Sequence, residues 1–159
     1  RRVEGQVGIA TIRENISYSC IGSLRRNLLI SKKKEKELAD KWINNLKIKC
    51  VGPEQAVENL SGGNAQKVVF ARVLSSEADV IILNHPTRGV DVGAKEEIYD
   101  IIRAATARGI GIILLGDTLD ECIGLSNKII VMKDGLVTKV FDAEPDNKPN
   151  QIDIIQYMM

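Results

Sequence analysis

The stretch NLSGGNAQKVVFARVL, residues 59–74, holds the residue types with the clearest chemical capacity. Ser61-Gly62-Gly63 stand directly before a segment patterned as a helix. The first turn of a helix has backbone N–H groups without intrahelical acceptors and carries the positive end of the helix dipole, so it attracts anions. Two glycines let the backbone approach a phosphate closely, and the Ser61 hydroxyl adds a donor. The same residues also make an ordinary helix start, because serine is a favoured N-cap. Taken alone, SGG is more commonly a cap than a phosphate site. The second candidate is His85, the single histidine of the chain. It follows the apolar run DVIIL (79–83) and Asn84, at the carboxyl end of an expected strand, where open α/β sheets bind ligands. A lone histidine is as readily structural, and at this position the two readings weigh about equally.

Local signals give the elements that must position these residues. Thr11-Ile12-Arg13-Glu14 is a capping box and predicts a short helix to about Tyr18. Ser31 caps a helix over about 32–46, in which Leu38, Ala39, Trp42, Ile43 and Leu46 share one face. Trp42 is therefore expected in the core. Gly52-Pro53 breaks the chain, and the first 60 residues contribute no strand. Beyond them the pattern changes to a helix at 62–76, a buried parallel strand at 79–83 and a helix at 94–108. The second helix carries Ala94, Ile98, Ile101, Ile102 and Ala105 on one stripe. A buried strand at 109–115, a short helix at 118–125 and a strand at 128–132 follow. Asp134-Gly135 then turns the chain into LVTKVF. The polar linker DAEPDNKPNQ leads to an apolar C-terminal segment. Strands alternating with helices argue a layered α/β core. The expected units are a helical subdomain at 1–60, an α/β core at 61–141, and a linker with a terminal helix at 142–159.

Composition sets bounds on function. A chain of 159 residues with 44% hydrophobic and 27% charged residues has the composition of a globular domain. No apolar run reaches the ~18–20 residues that span a bilayer. Arg1 in place of an initiator methionine fits a piece of a longer chain. Three scattered cysteines, Cys20, Cys50 and Cys122, form no CxxC pair and suit buried thiols in a reducing compartment. Residues 1–49 carry 12 Lys/Arg against 5 Asp/Glu, a net +7, and the remainder 10 against 16, a net −6. KKKEKE (32–37) mixes signs as a solvated helix face does, and aromatic residues make up only 4%. Both features argue against nucleic acid as a partner.

Several stretches taken together narrow the reading. LSGGN, VIILNHP, GVD (89–91), ILLGDTLDE and LSNKIIVMKDG resemble the nucleotide-binding subunit of ATP-binding cassette (ABC) transporters, over about residues 1–140. PTRGVDVGAK is similar to the second cassette of the fused importers for ribose, galactose and related sugars. The opening RRVEGQVGIATIRENIS is similar to the segment just after that cassette's Q-loop. The fold implied is α/β, a partial P-loop NTPase-like (ABC cassette) domain: a helical subdomain, then the back half of a mainly parallel sheet layered with helices. The resemblance implies ATP and Mg²⁺ as cofactors of the intact protein. It implies nucleotide contacts from Ser61, Gly62, Gly63 and Asn64 in the signature motif and from Asp91 in the D-loop. Asn84 falls at the metal-ordering acid, His85 at the catalytic glutamate, and Asp117 at the switch histidine.

The departures from that pattern concern one site. A phosphate loop GxxxxGK[ST] is absent from the sequence; Gly89…Gly93-Ala94-Lys95-Glu96 has the glycines too close and lacks the Ser/Thr. Asn84 keeps an oxygen ligand but loses the charge that holds a hard cation. His85 accepts a proton when neutral, yet is shorter in reach than glutamate. Asp117 puts an acid where the family's histidine belongs, so His85 and Asp117, at the ends of neighbouring strands, are expected to form a charge pair with exchanged roles. In the family, two cassettes close head-to-tail over two ATP molecules, each signature completing the other cassette's site. The implied protein is the energy-coupling ATPase of a sugar importer, cytoplasmic and peripheral on the inner face of the membrane. Its implied partners are a first cassette or a second copy, transmembrane permease subunits and, indirectly, a sugar-binding protein. By itself the chain is expected to be inactive. Two other readings compete: a DNA-associated ATPase, disfavoured by the absence of heptads, and a non-catalytic regulatory module, motivated by Asn84 and His85.

Overall fold

The computed structural model describes residues 5–26 and 29–159. The front part is helical. Helix α1 (Ile12–Ser17) starts at the expected capping box: Thr11 Oγ1 accepts from the Glu14 N–H at 3.1 Å, and Glu14 Oε2 accepts from the Thr11 N–H at 2.9 Å. After a short α2 (Ile21–Leu24), helix α3 (Lys32–Asn45) begins at Ser31, whose side chain accepts from the Lys34 N–H. Helices α1, α3 and α4 (Gly62–Leu74) enclose one core, built on Ile12, Ile16, Ala39, Trp42, Val57 and Val68. Arg13 ties its rim together, donating from Nη1 to Glu35 Oε2 at 2.8 Å and from Nε to Glu54 Oε1 at 2.7 Å. Glu35, itself buried, also accepts from Ser17 Oγ at 2.8 Å, so its charge is paired rather than stranded.

The expectation of a front part without strands needs correction. Arg25–Arg26 (β1) and Leu29–Ile30 (β2) pair antiparallel. Two-residue strands are too short to show a period of two, which is why the sequence pattern misses them.

Helix α4 links this core to the next. Phe70 packs with Ile81 and Leu83 of β3 (Val80–Asn84) and with Ile98, Ile101 and Ile102 of α5 (Val92–Ala107). Strand β3 pairs in parallel with β4 (Gly111–Leu115), in register from Val80↔Gly111 to Asn84↔Leu115. The two runs were expected to be buried, but alternate side chains are open: Val80 is 59% exposed, Ile82 67%, Ile113 53% and Leu115 47%. Among the described residues helices cover only the other face of this pair. A parallel sheet normally carries cover on both faces.

After α6 (Leu119–Leu125), strands β5 (Lys128–Lys133) and β6 (Leu136–Asp142) form the expected hairpin through Asp134-Gly135. Gly135 adopts φ +80 there, a conformation that glycine enters without strain. Helix α7 (Gln151–Ile155) buries Ile154 against Ile129, Val131 and Ala143. The cysteines are free and only half-buried, a correction to the expectation of buried thiols, and burial pushes the pKa of each thiol up. No described helix is long and apolar enough to cross a membrane.

Candidate functional site

The candidate residues divide between two clefts, each of about 390 Å³. Ser61, Gly63, Asn64 and Asp91 line one, together with Lys49, Gly93, Ala94 and Glu97. Asn84 and His85 line the other, with Gln6, Gln66, Arg88 and Gly89. Gly62 lines this second cleft, at the junction between the two. Asp117 lines neither, but stands against His85.

In the first cleft Ser61 is the exposed N-cap residue of α4, and its side chain makes no capping hydrogen bond to that helix. Its Oγ instead accepts from Asn64 Nδ2 at 2.9 Å. Asn64 Oδ1 accepts from the backbone N–H of Lys49 at 2.8 Å, which anchors the amide to the chain following α3. Asp91 caps α5, with Oδ1 accepting from the Ala94 N–H at 2.9 Å. The N-terminus of α4 thus opens beside this cleft with first-turn donors that no side chain caps, while that of α5 is capped by its own acid. That arrangement suits a phosphate-sized anion. Gly63 has a different duty: a Cβ there would lie 2.7 Å from the Ala94 Cβ, so the absent side chain is what lets α4 and α5 approach. At Gly62 the nearest atom to such a Cβ is the Gly89 carbonyl oxygen at 3.4 Å, ordinary contact.

The second cleft is organised by strand ends. The His85 N–H donates to the Leu115 carbonyl at 2.7 Å, extending the β3–β4 ladder by one residue. The chain then turns with His85 at φ +51, a left-handed conformation that costs a non-glycine residue about 1–2 kcal/mol. This turn brings His85 Nδ1 to 2.9 Å from Asp117 Oδ1. The two side chains are thus in close contact without a formed hydrogen bond at Nδ1. Two residues that sequence reasoning missed hold the pair in place. Glu121, buried, accepts from Thr87 Oγ1 at 2.8 Å through Oε1 and from the Asp117 N–H at 2.9 Å through Oε2. Thr118, the cap of α6, accepts from the Glu121 N–H at 3.2 Å. The spacing Thr118-x-x-Glu121 is that of a capping box and was the available signal. Among the described residues no group of three or more His, Cys, Asp or Glu is arranged to hold a metal ion. Asn84 itself offers an amide oxygen without the charge that holds a hard cation.

Comparison with known proteins gives one family. The family model described as ABC transporter matches residues 4–88. The arabinose import ATP-binding protein AraG 1 of Burkholderia lata is 43% identical over 150 residues, which is 93% of this chain and 30% of that protein. The protein of the same name in Burkholderia cenocepacia is 45% identical over 139 residues, 86% of this chain and 28% of that one. The chain therefore spans under a third of the length of these curated relatives. Among solved structures, the dimeric bacterial ABC transporter cassette MJ0796 superposes with a TM-score of 0.74 at 21% identity, over 87% of this chain and 59% of that one.

Proposed function

Because this chain belongs to the ABC transporter ATP-binding cassette family, we propose that it is part of the energy-coupling ATPase of a sugar importer, of the arabinose, ribose and galactose kind. In this reading Ser61, Gly62 and Gly63 serve a nucleotide site whose phosphate loop lies in a partner cassette, and Asn84, His85 and Asp117 make this cassette's own site hydrolytically weak. The observation that carries it is the division of the candidate residues between two clefts, with Ser61 in one and Asn84 and His85 in the other. One chain so arranged contributes to two separate nucleotide sites of unequal competence.

The residues present fit ATP at the first cleft: an exposed serine hydroxyl and first-turn N–H groups of α4 that no side chain caps. ATP supplies the phosphoanhydride whose cleavage drives transport. The neutral amide of Asn84 lacks the charge that would order Mg²⁺, and in this reading that loss is what weakens the site. The similarity to arabinose import ATP-binding proteins supports the sugar class. The uncovered apolar face of β3 and β4 supports a missing layer that belongs to the rest of the cassette. The partners follow from the family: a first cassette of the same chain or a second copy, permease subunits in the membrane and, beyond them, a sugar-binding protein. The location that follows is the cytoplasmic face of the membrane.

The test is ATP turnover by the full-length protein with Ser61→Arg. Arginine at this position crowds the space in front of the α4 N-terminus. Turnover is expected to collapse. Unchanged turnover would mean that hydrolysis does not pass through this signature, and the asymmetric reading would fall.

A further inference from the structure

We propose that Asn64 is a positioning residue that aims the Ser61 hydroxyl hydrogen out of the protein, toward a phosphate oxygen in the first cleft. The inference rests on the reading that residues 61–63 face nucleotide phosphate, and adds what makes Ser61 a donor there.

A backbone N–H donates and never accepts. The Lys49 N–H, 2.8 Å from Asn64 Oδ1, therefore fixes which way the Asn64 amide faces. With its oxygen toward Lys49, Asn64 presents Nδ2 to Ser61, and this nitrogen donates to Oγ at 2.9 Å. A serine hydroxyl has one hydrogen and two lone pairs. One lone pair is filled from inside by Asn64, and the side chain makes no capping bond to α4. The hydrogen is left for an acceptor on the exposed side. Of the nearby acids, Asp91 Oδ1 is occupied by the Ala94 N–H, and Glu97 Oε2 lies 2.7 Å from Lys67 Nζ. Among the described residues the Ser61 hydroxyl donates no hydrogen bond, so its hydrogen is available to a phosphate oxygen entering the cleft. The relay from Lys49 to Asn64 to Ser61 thus holds the hydroxyl as a preset donor, and no reorientation is required on binding.

Asn64→Asp separates this role from a structural one. Aspartate has the same shape and keeps an oxygen for the Lys49 N–H, but its second oxygen accepts. The Ser61 hydrogen then turns inward. In the full-length protein, equilibrium binding of a non-hydrolysable ATP analogue is expected to weaken roughly tenfold or more, the scale of a hydrogen bond to a charged group. The Lys49 amide should stay protected from hydrogen exchange in Asn64→Asp and lose that protection in Asn64→Ala. In a Ser61→Ala background, Asn64→Asp should cost little further affinity, because its effect runs through the hydroxyl. An equal loss in both backgrounds would show that the new charge acts directly on the nucleotide and would overturn the proposal. Unchanged binding in Ser61→Ala alone would take down both this proposal and the reading beneath it.

Discussion

Thr87 donates from Oγ1 to Glu121 Oε1 at 2.8 Å, and both residues are buried. The bond joins the loop after β3 to the loop after β4, because the other oxygen of Glu121 accepts from the Asp117 N–H. These loops carry His85 and Asp117, so one carboxylate sets the distance between them. Glu121→Ala strands a fully buried hydroxyl and is expected to cost about 1–3 kcal/mol of unfolding free energy. Glu121→Gln should cost clearly less, since its oxygen still accepts from the Asp117 N–H and its nitrogen donates to the Thr87 oxygen. Urea unfolding of the two variants checks this. Equal losses would mean that the charged carboxylate, absent from both variants, and not a bridge that glutamine can rebuild, is what matters.

The legible parts of this fold are those written in local chemistry. The capping box at Thr11–Glu14, the cap at Ser31 and the turn at Asp134-Gly135 depend on residues within three positions of each other, and each is found where the sequence puts it. The β3–β4 pair was legible as two short apolar runs, but its exposure was not. Ile82 and Leu83 are equally apolar in sequence, and only the layer that covers one of them tells them apart. The site divides in the same way. Ser61 and His85 stand out by type and position. Thr87 and Glu121 lie 34 positions apart, and their contact depends on how two strand ends are joined in space. The left-handed turn at His85 carries no sequence signal, because a glycine is expected at such a φ.

The two glycines of the signature differ in what they do, and substitution separates them. A Cβ at Gly63 would meet the Ala94 Cβ at 2.7 Å, and neither atom belongs to the flexible end of a side chain. Gly63→Ala should therefore destabilise by about 1–3 kcal/mol through overpacking, against a helix-propensity gain of ~1 kcal/mol. Ala94→Gly in the same chain should recover part of that loss. Gly62→Ala meets only the Gly89 carbonyl at 3.4 Å and should change stability by less than about 0.5 kcal/mol. Thermal unfolding of the three variants tests the pattern. A neutral Gly63→Ala would show that helix packing does not require the glycine.

Lys67 and Glu97 form an ion pair between α4 and α5, and its two ends are unequal. The Lys67 side chain is buried, with Nζ 2.7 Å from Glu97 Oε2 and 3.3 Å from the Lys47 carbonyl, whereas the Glu97 side chain is 53% exposed. Removing the exposed partner leaves a buried cation with a single carbonyl. Glu97→Gln is therefore expected to cost about 2 kcal/mol, less than a fully buried pair loses because water already screens one end. Removing the buried partner leaves a carboxylate that water can solvate, so Lys67→Met should stay within about 1 kcal/mol of the parent. The functional order should run the other way. Glu97 lines the cleft of Ser61, and without Lys67 it stands there as an unbalanced negative charge. Lys67→Met should then weaken binding of an ATP analogue in the full-length protein while leaving stability nearly intact. If stability and affinity fall together in both variants, the pair holds the two helices together and has no separate effect on the charge of the cleft.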